Sequence, residues 1–250
     1  MAEMKKDIHM TGRDLMGMVQ LRPEDIGKYA IVPGPKERLD NLLKKIENPV
    51  KNFTFMEYSM YTGQYDGAKV TAVNGGRFSA DTAITTELLC NAKPEYMIRI
   101  GSCGSLSENI KIGDLVVADS AFRGDGVTPY YVDHDFKTLA DESLTKDLID
   151  VAKASGQNVH KGKAWSTDAI LRETREHVGN AVKEGCVAVD MVSSTFLTLA
   201  QLHGIKAAVI LAVSDDVISG EMGFMDPNYY MAEGSMISIV LNLIKKFEGK

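Results

Sequence analysis

A short segment of the chain, residues 97–106 (MIRIGSCGSL), combines an apolar run, one arginine and a series of small residues. We expect a strand that carries Arg99 and then opens into a loop around Ser102. Such a loop can present backbone N–H groups, a hydroxyl and a fixed positive charge to one anion. The alternative is an ordinary strand and glycine turn, in which Arg99 pairs with an interior carboxylate.

A second candidate for anion binding is the segment 34–38 (GPKER), which lies between an apolar run and a helical pattern. Gly34 allows the backbone to approach a ligand closely, and the first amides of a helix point at negative groups. Arg38 follows one helical turn later and can reach an anion, although an arginine on a helix surface is the common alternative. We group this segment with Arg99 and Ser102.

Two acidic residues, Asp215 and Asp216, follow the most apolar run of the chain, residues 207–214. A carboxyl group at the dry end of a strand loses hydration, which raises its pKa and lets it donate a proton near neutral pH. The alternative is that an acid caps the turn that follows. Adjacent side chains point in different directions, so we expect only one of the two to serve the site.

Other kinds of catalytic site find no support in the sequence. There is no G-x-S-x-G segment, and none of the five histidines has the spacing of a triad partner. Three cysteines without a C-x-x-C pair indicate neither a disulfide framework nor a zinc site, and we expect no metal. After Asp190, we expect Ser193 or Ser194 to cap a helix and Met191 to fill the core.

Alternating strand and helix patterns predict the elements that position these residues. The predicted strands span residues 28–33, 53–65, 68–73, 94–100, 114–118, 162–166, 187–190 and 207–214, and the predicted helices span 35–46, 80–91, 139–154, 193–202 and 233–247. This alternation predicts an α/β fold whose mainly parallel sheet is covered by helices on both faces. Polar segments that follow strands meet at one sheet edge in such folds, where ligands bind. Here they are residues 34–38, 75–79, 99–105 and 214–221.

Length, composition and charge narrow the range of functions. With 250 residues, of which 44% are hydrophobic and 25% charged, we expect a single globular domain over residues 1–250. The net charge of −6, without a long run of lysine or arginine, argues against nucleic acid and anionic membranes as partners. The N-terminus does not resemble a signal peptide, and no apolar run approaches the roughly 18 residues of a membrane span. We therefore expect a cytoplasmic protein.

Several segments resemble, in order along the chain, motifs of the trimeric/hexameric nucleoside phosphorylase family, which includes uridine phosphorylase and hexameric purine nucleoside phosphorylase. They are residues 30–34 with Arg38, 99–105, 112–117, 123–126, 189–191 and 213–215. The resemblance implies a three-layer α/β/α domain with a central mixed, largely parallel sheet. It also implies that inorganic phosphate, as co-substrate, cleaves a nucleoside to free base and (deoxy)ribose 1-phosphate without a metal or organic cofactor.

The resemblance further assigns roles to individual residues. Asp215 would protonate the leaving base, Gly34, Arg38, Arg99 and Ser102 would bind phosphate, and His9, Asp190, Met191 and Ile170 would contact the nucleoside. The family's N-terminal histidine reaches across a dimer interface to the ribose 5′-hydroxyl. His9 therefore implies a homo-oligomer built from dimers, such as a hexamer.

The phosphate side departs from the family motifs at two positions. Pro35 replaces the usual aspartate, and Met56 stands where the partner subunit of the family supplies a phosphate-binding arginine. We hypothesise that Arg77 compensates, because the segment 75–79 opens at the same sheet edge.

The sugar side departs at Val192, which replaces the glutamate that binds the ribose 2′- and 3′-hydroxyls. A valine accepts no hydrogen bond, so Asp190 is left as the nearby acid. Ribose is then held differently, a deoxy or modified sugar is preferred, or the chain is a non-catalytic nucleoside or nucleotide binder.

The motifs leave the base and the nucleophile open between alternatives. Residues 214–215 resemble the purine branch, which we favour, whereas residues 123–126 and 130–131 resemble the uridine branch. A phosphate-independent nucleosidase uses water on the same fold. Arg38 and Arg99 together favour phosphorolysis over that reaction.

Overall fold

Eleven strands form one sheet in the computed structural model, which describes residues 7–249. The strands are β1 (Tyr29–Pro33), β2 (Glu47–Phe55), β3 (Tyr58–Tyr65), β4 (Ala68–Val73), β5 (Tyr96–Ser105), β6 (Leu115–Gly124), β7 (Thr138–Leu139), β8 (Val159–Thr167), β9 (Cys186–Asp190), β10 (Lys206–Asp216) and β11 (Glu221–Met222). The helices are α1 (Gly12–Met18), α2 (Lys36–Leu43), α3 (Ser79–Ala92), α4 (Glu142–Ala154), α5 (Arg175–Lys183), α6 (Ser193–Leu202) and α7 (Pro227–Phe247).

Part of the sheet closes into a ring. The strand order is β11-β10-β6-β8-β9-β5-β1-β4-β3-β2, and β10 also pairs with β5. The strands β5, β10, β6, β8 and β9 therefore surround a common axis, while β1 to β4 extend the sheet. The pairs β1–β4, β1–β5, β5–β10, β6–β8 and β8–β9 are parallel, and the others are antiparallel. The predicted α/β class with a mixed, largely parallel sheet is confirmed.

Helices cover both faces of the sheet, and the alternation of strand side chains decides which face each residue occupies. Ile31 and Ile98 pack with α2, α4 and α7 on one face. Val32 and Val209 pack with α1, α3 and α6 on the other face. Arg99 lies in register with both Val32 and Val209. Its guanidinium group therefore emerges on the side of α3 and α6.

The loop expected after Arg99 is wrong, because β5 continues as a strand to Ser105. Gly101 pairs with Leu211 of β10, and a Cβ at Gly101 would lie 2.7 Å from Leu211 Cδ2. A larger residue here would displace the ends of the Leu211 and Arg99 side chains, so this glycine is explained by close packing within the sheet and not by a turn. The same pairing extends β10 two residues beyond its predicted end, to Asp216.

Other boundaries differ where local turns intervene. The strand predicted over residues 53–65 is two strands, because Met56 adopts a positive φ of 52° in a turn between β2 and β3. The predicted turn at Asp66 and Gly67 is present, with positive φ values of 51° and 80°, as a tight hairpin requires. Helix α6 spans the predicted residues 193–202, whereas the sequence patterns do not predict α1 and α5.

The cysteines Cys90, Cys103 and Cys186 are free and buried. Burial raises the pKa of each thiol above its ordinary value. A raised pKa keeps the thiols protonated near neutral pH, so none of the three is an activated nucleophile. Across residues 7–249, no helix is both long enough and apolar enough to cross a bilayer.

Candidate active site

Arg38 is a buried residue of α2, with only 4% of its surface exposed, so the alternative of a surface arginine is wrong. Its Nε and Nη2 donate to Glu233 Oε1 of α7, at 2.8 Å and 2.6 Å. Its Nη1 donates to the carbonyl oxygen of Ile100, at 3.2 Å. These contacts hold the guanidinium group beside the middle of β5.

Arg99 is also buried, and its hydrogen bonding is incomplete. Its Nη2 lies 3.6 Å from Asp190 Oδ2, and its Nη1 lies 3.5 Å from the carbonyl oxygen of Ile100. No atom among residues 7–249 pairs with its Nε. Burial lowers the pKa of Arg99 to about 10, with Arg38 adding to this effect and Asp190 opposing it. The side chain is therefore a cation at neutral pH with a donor to spare.

The other predicted phosphate ligands lie around the two arginines. A Cβ at Gly34 would lie 3.4 Å from the carbonyl oxygen of Gly76 and 3.9 Å from Arg77 Cγ. The segments after β1 and β4 are therefore neighbours, and Arg77 is exposed beside them. Ser102 lies close to the hydroxyl of Tyr229, whose pKa is raised by burial. The structure thus brings the predicted phosphate ligands to one end of the sheet.

Asp190 ends β9, and protein donors surround its carboxylate. Ser166 Oγ donates to Oδ1 at 2.7 Å. Ser193 donates to Oδ2 through Oγ at 2.6 Å and through its backbone N–H at 3.1 Å. The expectation that a serine caps α6 is wrong, because the carboxylate of Asp190 accepts from the first amide of that helix. Its contact with a nucleoside stays a prediction.

The sequence allowed two roles for the adjacent acids Asp215 and Asp216, a proton donor for the site and a cap of the turn that follows. In the structure each of the two residues fits one of these roles. Burial raises the pKa of Asp215, although Ser214 Oγ donates to its Oδ1 at 2.7 Å. Burial also acts to raise the pKa of Asp216, but the backbone N–H groups of Ser219 and Ile218 donate to it and lower that pKa overall. Asp216 therefore holds the turn after β10, and Asp215 is the group that can retain a proton.

Glu173 is a further acid at this end of the sheet, which the motifs did not single out. It follows a short 3₁₀ turn (Ile170–Arg172) after β8 and precedes α5. Burial and the nearby Asp215 raise the pKa of Glu173 to about 7. Its position after a strand was the available signal, but its burial depends on packing that spacing does not reveal.

Comparison with known proteins now decides the family. A family model described as the phosphorylase superfamily matches residues 28–245. The chain belongs to the phosphorylase superfamily. Its predicted membership among the nucleoside phosphorylases, which are pentosyltransferases, is confirmed.

The relatives carry names for both purine and pyrimidine substrates. Guanosine phosphorylase of Halorubrum lacusprofundi is 26% identical over 209 residues, which cover 84% of this chain and 87% of the relative. Uridine phosphorylase of Thermococcus kodakarensis is 28% identical over 218 residues, which cover 82% and 79%. The crystal structure of uridine phosphorylase from Vibrio fischeri matches with a TM-score of 0.82 at 22% identity, over 91% of this chain and 96% of that chain. This structural match shows a shared fold.

The segment 123–126 resembles the uridine branch of the family, and its Asp125 is held by hydrogen bonds within the protein. Asp125 Oδ1 accepts from the backbone N–H groups of Val127 at 2.9 Å and Thr128 at 2.7 Å. Its Oδ2 accepts from Ser194 Oγ of α6 at 2.6 Å. Asp125 therefore ties the segment after β6 to α6.

The residues predicted to contact the nucleoside differ in their exposure to solvent. Met191 is half-buried, and its carbonyl oxygen lies 2.9 Å from Ser79 Oγ. Val192 is 1% exposed, so it packs in the core and offers no polar atom to a sugar. Ile170 and His9 are exposed. The predicted contact of His9 lies across a subunit interface, outside a single chain.

Proposed function

We propose that this phosphorylase cleaves purine nucleosides with inorganic phosphate, giving free base and (deoxy)ribose 1-phosphate. One observation carries the proposal: Arg38 and Arg99 converge on the carbonyl oxygen of Ile100, and Arg99 Nε is buried without a partner among the described residues. A buried donor without an acceptor is costly. A phosphate ion beside Gly34 supplies the acceptor and the counter-charge, and the step needs no metal or organic cofactor.

The chemistry follows from the placement of charge. A phosphate oxygen forms a bond to C1′ as the glycosidic bond breaks, and the bonding electron pair leaves with the base. Arg38 and Arg99 bind the phosphate and offset the charges that develop as the sugar becomes oxocarbenium-like. Asp215 donates its proton to the leaving purine, which prevents a build-up of negative charge on the base. The raised pKa of Asp215 makes it a suitable donor.

The proposal favours purine nucleosides because of the residues expected to lie beside the base. Asp215 is a protonatable group where the purine branch is expected to hold one, and Ser214 orients its carboxyl group. Uridine is the second candidate, supported by the name of the Thermococcus kodakarensis relative. The resemblance of residues 123–126 to the uridine branch adds little, because Asp125 is engaged in structural hydrogen bonds.

The proposal includes a homo-oligomer built from dimers, with a hexamer as the expected form, located in the cytoplasm. Its support is His9, which is exposed on the segment before α1 and free to reach a neighbouring subunit. Light scattering after gel filtration measures the assembly. A monomer with full activity would contradict the predicted role of His9.

The nucleophile is tested by following base release from purine nucleosides and uridine, with and without inorganic phosphate. We expect release only when phosphate is present, and faster release from purine nucleosides. Equal release without phosphate would indicate a nucleosidase. Nucleoside binding without product in phosphate buffer would indicate a non-catalytic binder.

A further inference from the structure

Asp168 joins segments that follow three different strands of the sheet. It comes directly after β8, and its side chain accepts two hydrogen bonds from outside its own segment. Ser79 Oγ, at the start of α3, donates to Oδ1 at 2.5 Å. The backbone N–H of Gly126, after β6, donates to Oδ2 at 2.7 Å. One carboxylate therefore ties together the segments after β4, β6 and β8.

Ser79 extends this connection to a fourth strand. It is only 1% exposed, and its Oγ lies 2.9 Å from the carbonyl oxygen of Met191, which follows β9. A hydroxyl group carries one proton, so Ser79 serves one of its two acceptors at a time. The 2.5 Å contact has the length of a charge-assisted hydrogen bond. The proton of Ser79 is therefore directed to Asp168, and Asp168 decides how Ser79 faces Met191.

The joined segments border the candidate active site where the nucleoside is expected. Met191 follows Asp190, whose Oδ2 lies 3.6 Å from Nη2 of Arg99. Ile170 lies two residues after Asp168. Met191 and Ile170 are both predicted to contact the nucleoside. The carboxylate of Asp168 thus connects two segments that are expected to hold the same ligand.

On the basis of the proposed function, we propose that Asp168 is a positioning residue for the nucleoside. Through its two hydrogen bonds, it fixes the segments of Met191 and Ile170 at one spacing. The sugar is then presented to phosphate at a constant distance. A displacement of about 1 Å in such an arrangement costs about 100-fold in rate. Asp168 acts through other residues and takes no part in bond making or bond breaking.

Phosphate binding has a separate support. Arg38 is held by Glu233 of α7, and Arg99 lies against Asp190 of β9. Asp168 is therefore not the counter-ion of either arginine. Loss of its carboxylate should weaken the use of the nucleoside and leave the use of phosphate nearly unchanged.

Asparagine at position 168 can keep the connection with the opposite polarity. Its amide oxygen can accept from the N–H of Gly126, and its amide nitrogen can donate to Ser79 Oγ. The proton of Ser79 then passes to the carbonyl oxygen of Met191, so every group keeps a partner. Alanine removes both hydrogen bonds. The two replacements therefore separate the connection from the negative charge.

The experiment measures guanosine phosphorolysis, with guanosine and phosphate varied in turn, in the wild type, Asp168→Asn and Asp168→Ala. Asp135→Ala, at an exposed position between β6 and β7, is the matched control. We expect Asp168→Ala to lower kcat/KM for guanosine by about 10- to 100-fold and to change KM for phosphate by less than about threefold. Asp168→Asn should stay within about threefold of the wild type, and Asp135→Ala should match it.

Ser79→Ala and the double variant Ser79→Ala/Asp168→Ala test whether the two residues act as one unit. We expect Ser79→Ala to lower kcat/KM for guanosine by about tenfold. The double variant should lose no more than Asp168→Ala alone, because both changes remove the same connection. Losses that multiply would show that Asp168 acts independently of Ser79 and would overturn the connection. If Asp168→Ala does not fold, an unchanged kcat/KM in Ser79→Ala overturns it equally.

Equal losses in Asp168→Asn and Asp168→Ala would show that the charge matters and the connection does not, which contradicts the inference. Failure of every nucleoside to react with phosphate in the wild type would instead overturn the proposed function. In that case, calorimetric binding of guanosine to the wild type and to Asp168→Ala tests Asp168 separately. Weaker binding to Asp168→Ala supports the inference, and equal binding contradicts it.

Discussion

Arg38 and Arg99 place their Nη1 atoms 3.2 Å and 3.5 Å from the same oxygen, the carbonyl oxygen of Ile100. The two side chains reach it from opposite faces of the sheet, Arg38 from α2 and Arg99 from the side of α3 and α6. Each is paired with one carboxylate, Glu233 and Asp190 respectively. Two cations are thus held together beside the middle of β5, and such preorganised positive charge is what the proposed attack of phosphate on the sugar would use.

Arg99→Lys tests the geometry of this pair. Lysine keeps the charge opposite Asp190 but loses the planar fork that can hold two phosphate oxygens. We expect KM for phosphate to rise by about tenfold or more, while KM for the nucleoside changes by less than about threefold. Steady-state kinetics with each substrate varied in turn measures both constants. An unchanged KM for phosphate would show that Arg99 does not contact it.

Arg77→Ala tests whether that residue compensates for Met56. Arg77 is exposed and lies beside Gly34, so its cation can reach a phosphate bound there. We expect KM for phosphate to rise by about three- to tenfold, as for one partly solvated charge contact. Lys153→Ala, at an exposed position of α4, is the control for loss of a surface cation. If Arg77→Ala and Lys153→Ala behave alike, the compensation hypothesis fails.

The sugar preference follows from Val192. Because its side chain is buried and apolar, it accepts no hydrogen bond from the 2′-hydroxyl, and Asp190 already accepts from Ser166 and Ser193. A hydrogen bond from the 2′-hydroxyl to a charged group would favour the ribonucleoside by about tenfold or more. Without that bond, we expect kcat/KM for a ribonucleoside and its 2′-deoxy counterpart to agree within about threefold. A ribonucleoside preference of about tenfold or more would reveal a sugar ligand elsewhere.

Much of the fold could be predicted, because its signals are local. The apolar run before Asp215 and the helix over residues 193–202 depend on periodicity within one segment, and both are present. Closure of the ring could not be predicted, because glycine at position 101 has the same sequence signature in a turn and in closely packed strands. The pairing of β5 with β10 resolves that ambiguity through contacts distant in sequence.

Some residues of the candidate site could be predicted from the sequence, and others could not. In the sequence patterns, Arg38 lies in the first turn of a predicted helix, Arg99 lies near the end of a predicted strand, and Asp215 follows one; such positions can be found from spacing. Glu173 also follows a strand, but its half-burial cannot be read from spacing. The structural role of Asp190 was also hidden, since its hydrogen-bond donor Ser166 and its ion-pair partner Arg99 lie on other strands.

Glu173→Gln should change stability in a pH-dependent manner. The pKa of Glu173 is raised from 4.5 to about 7 in the folded protein, so folding favours its protonated form. The stability that this form contributes is present below pH 4.5 and is lost as the pH rises to about 7. Glutamine stays neutral, so we expect a higher Tm than the wild type above pH 7 and an equal Tm below pH 4.5.

Thermal unfolding over this pH range measures the effect, with Glu176→Gln, at an exposed position of α5, as the control. A difference in Tm that is independent of pH would show that Glu173 is not the titrating group. A wild type more stable than Glu173→Gln above pH 7 would contradict the burial of an ionised carboxylate at this position.

The most direct test of phosphorolysis at the paired arginines is ³¹P NMR of a reaction that contains guanosine, inorganic phosphate and the wild-type protein. We expect the inorganic phosphate signal to decrease and a sugar 1-phosphate signal to appear in proportion to the free base released. The Arg99→Lys variant should show the same products at a lower rate. Release of base with free ribose and an unchanged phosphate signal would contradict phosphorolysis.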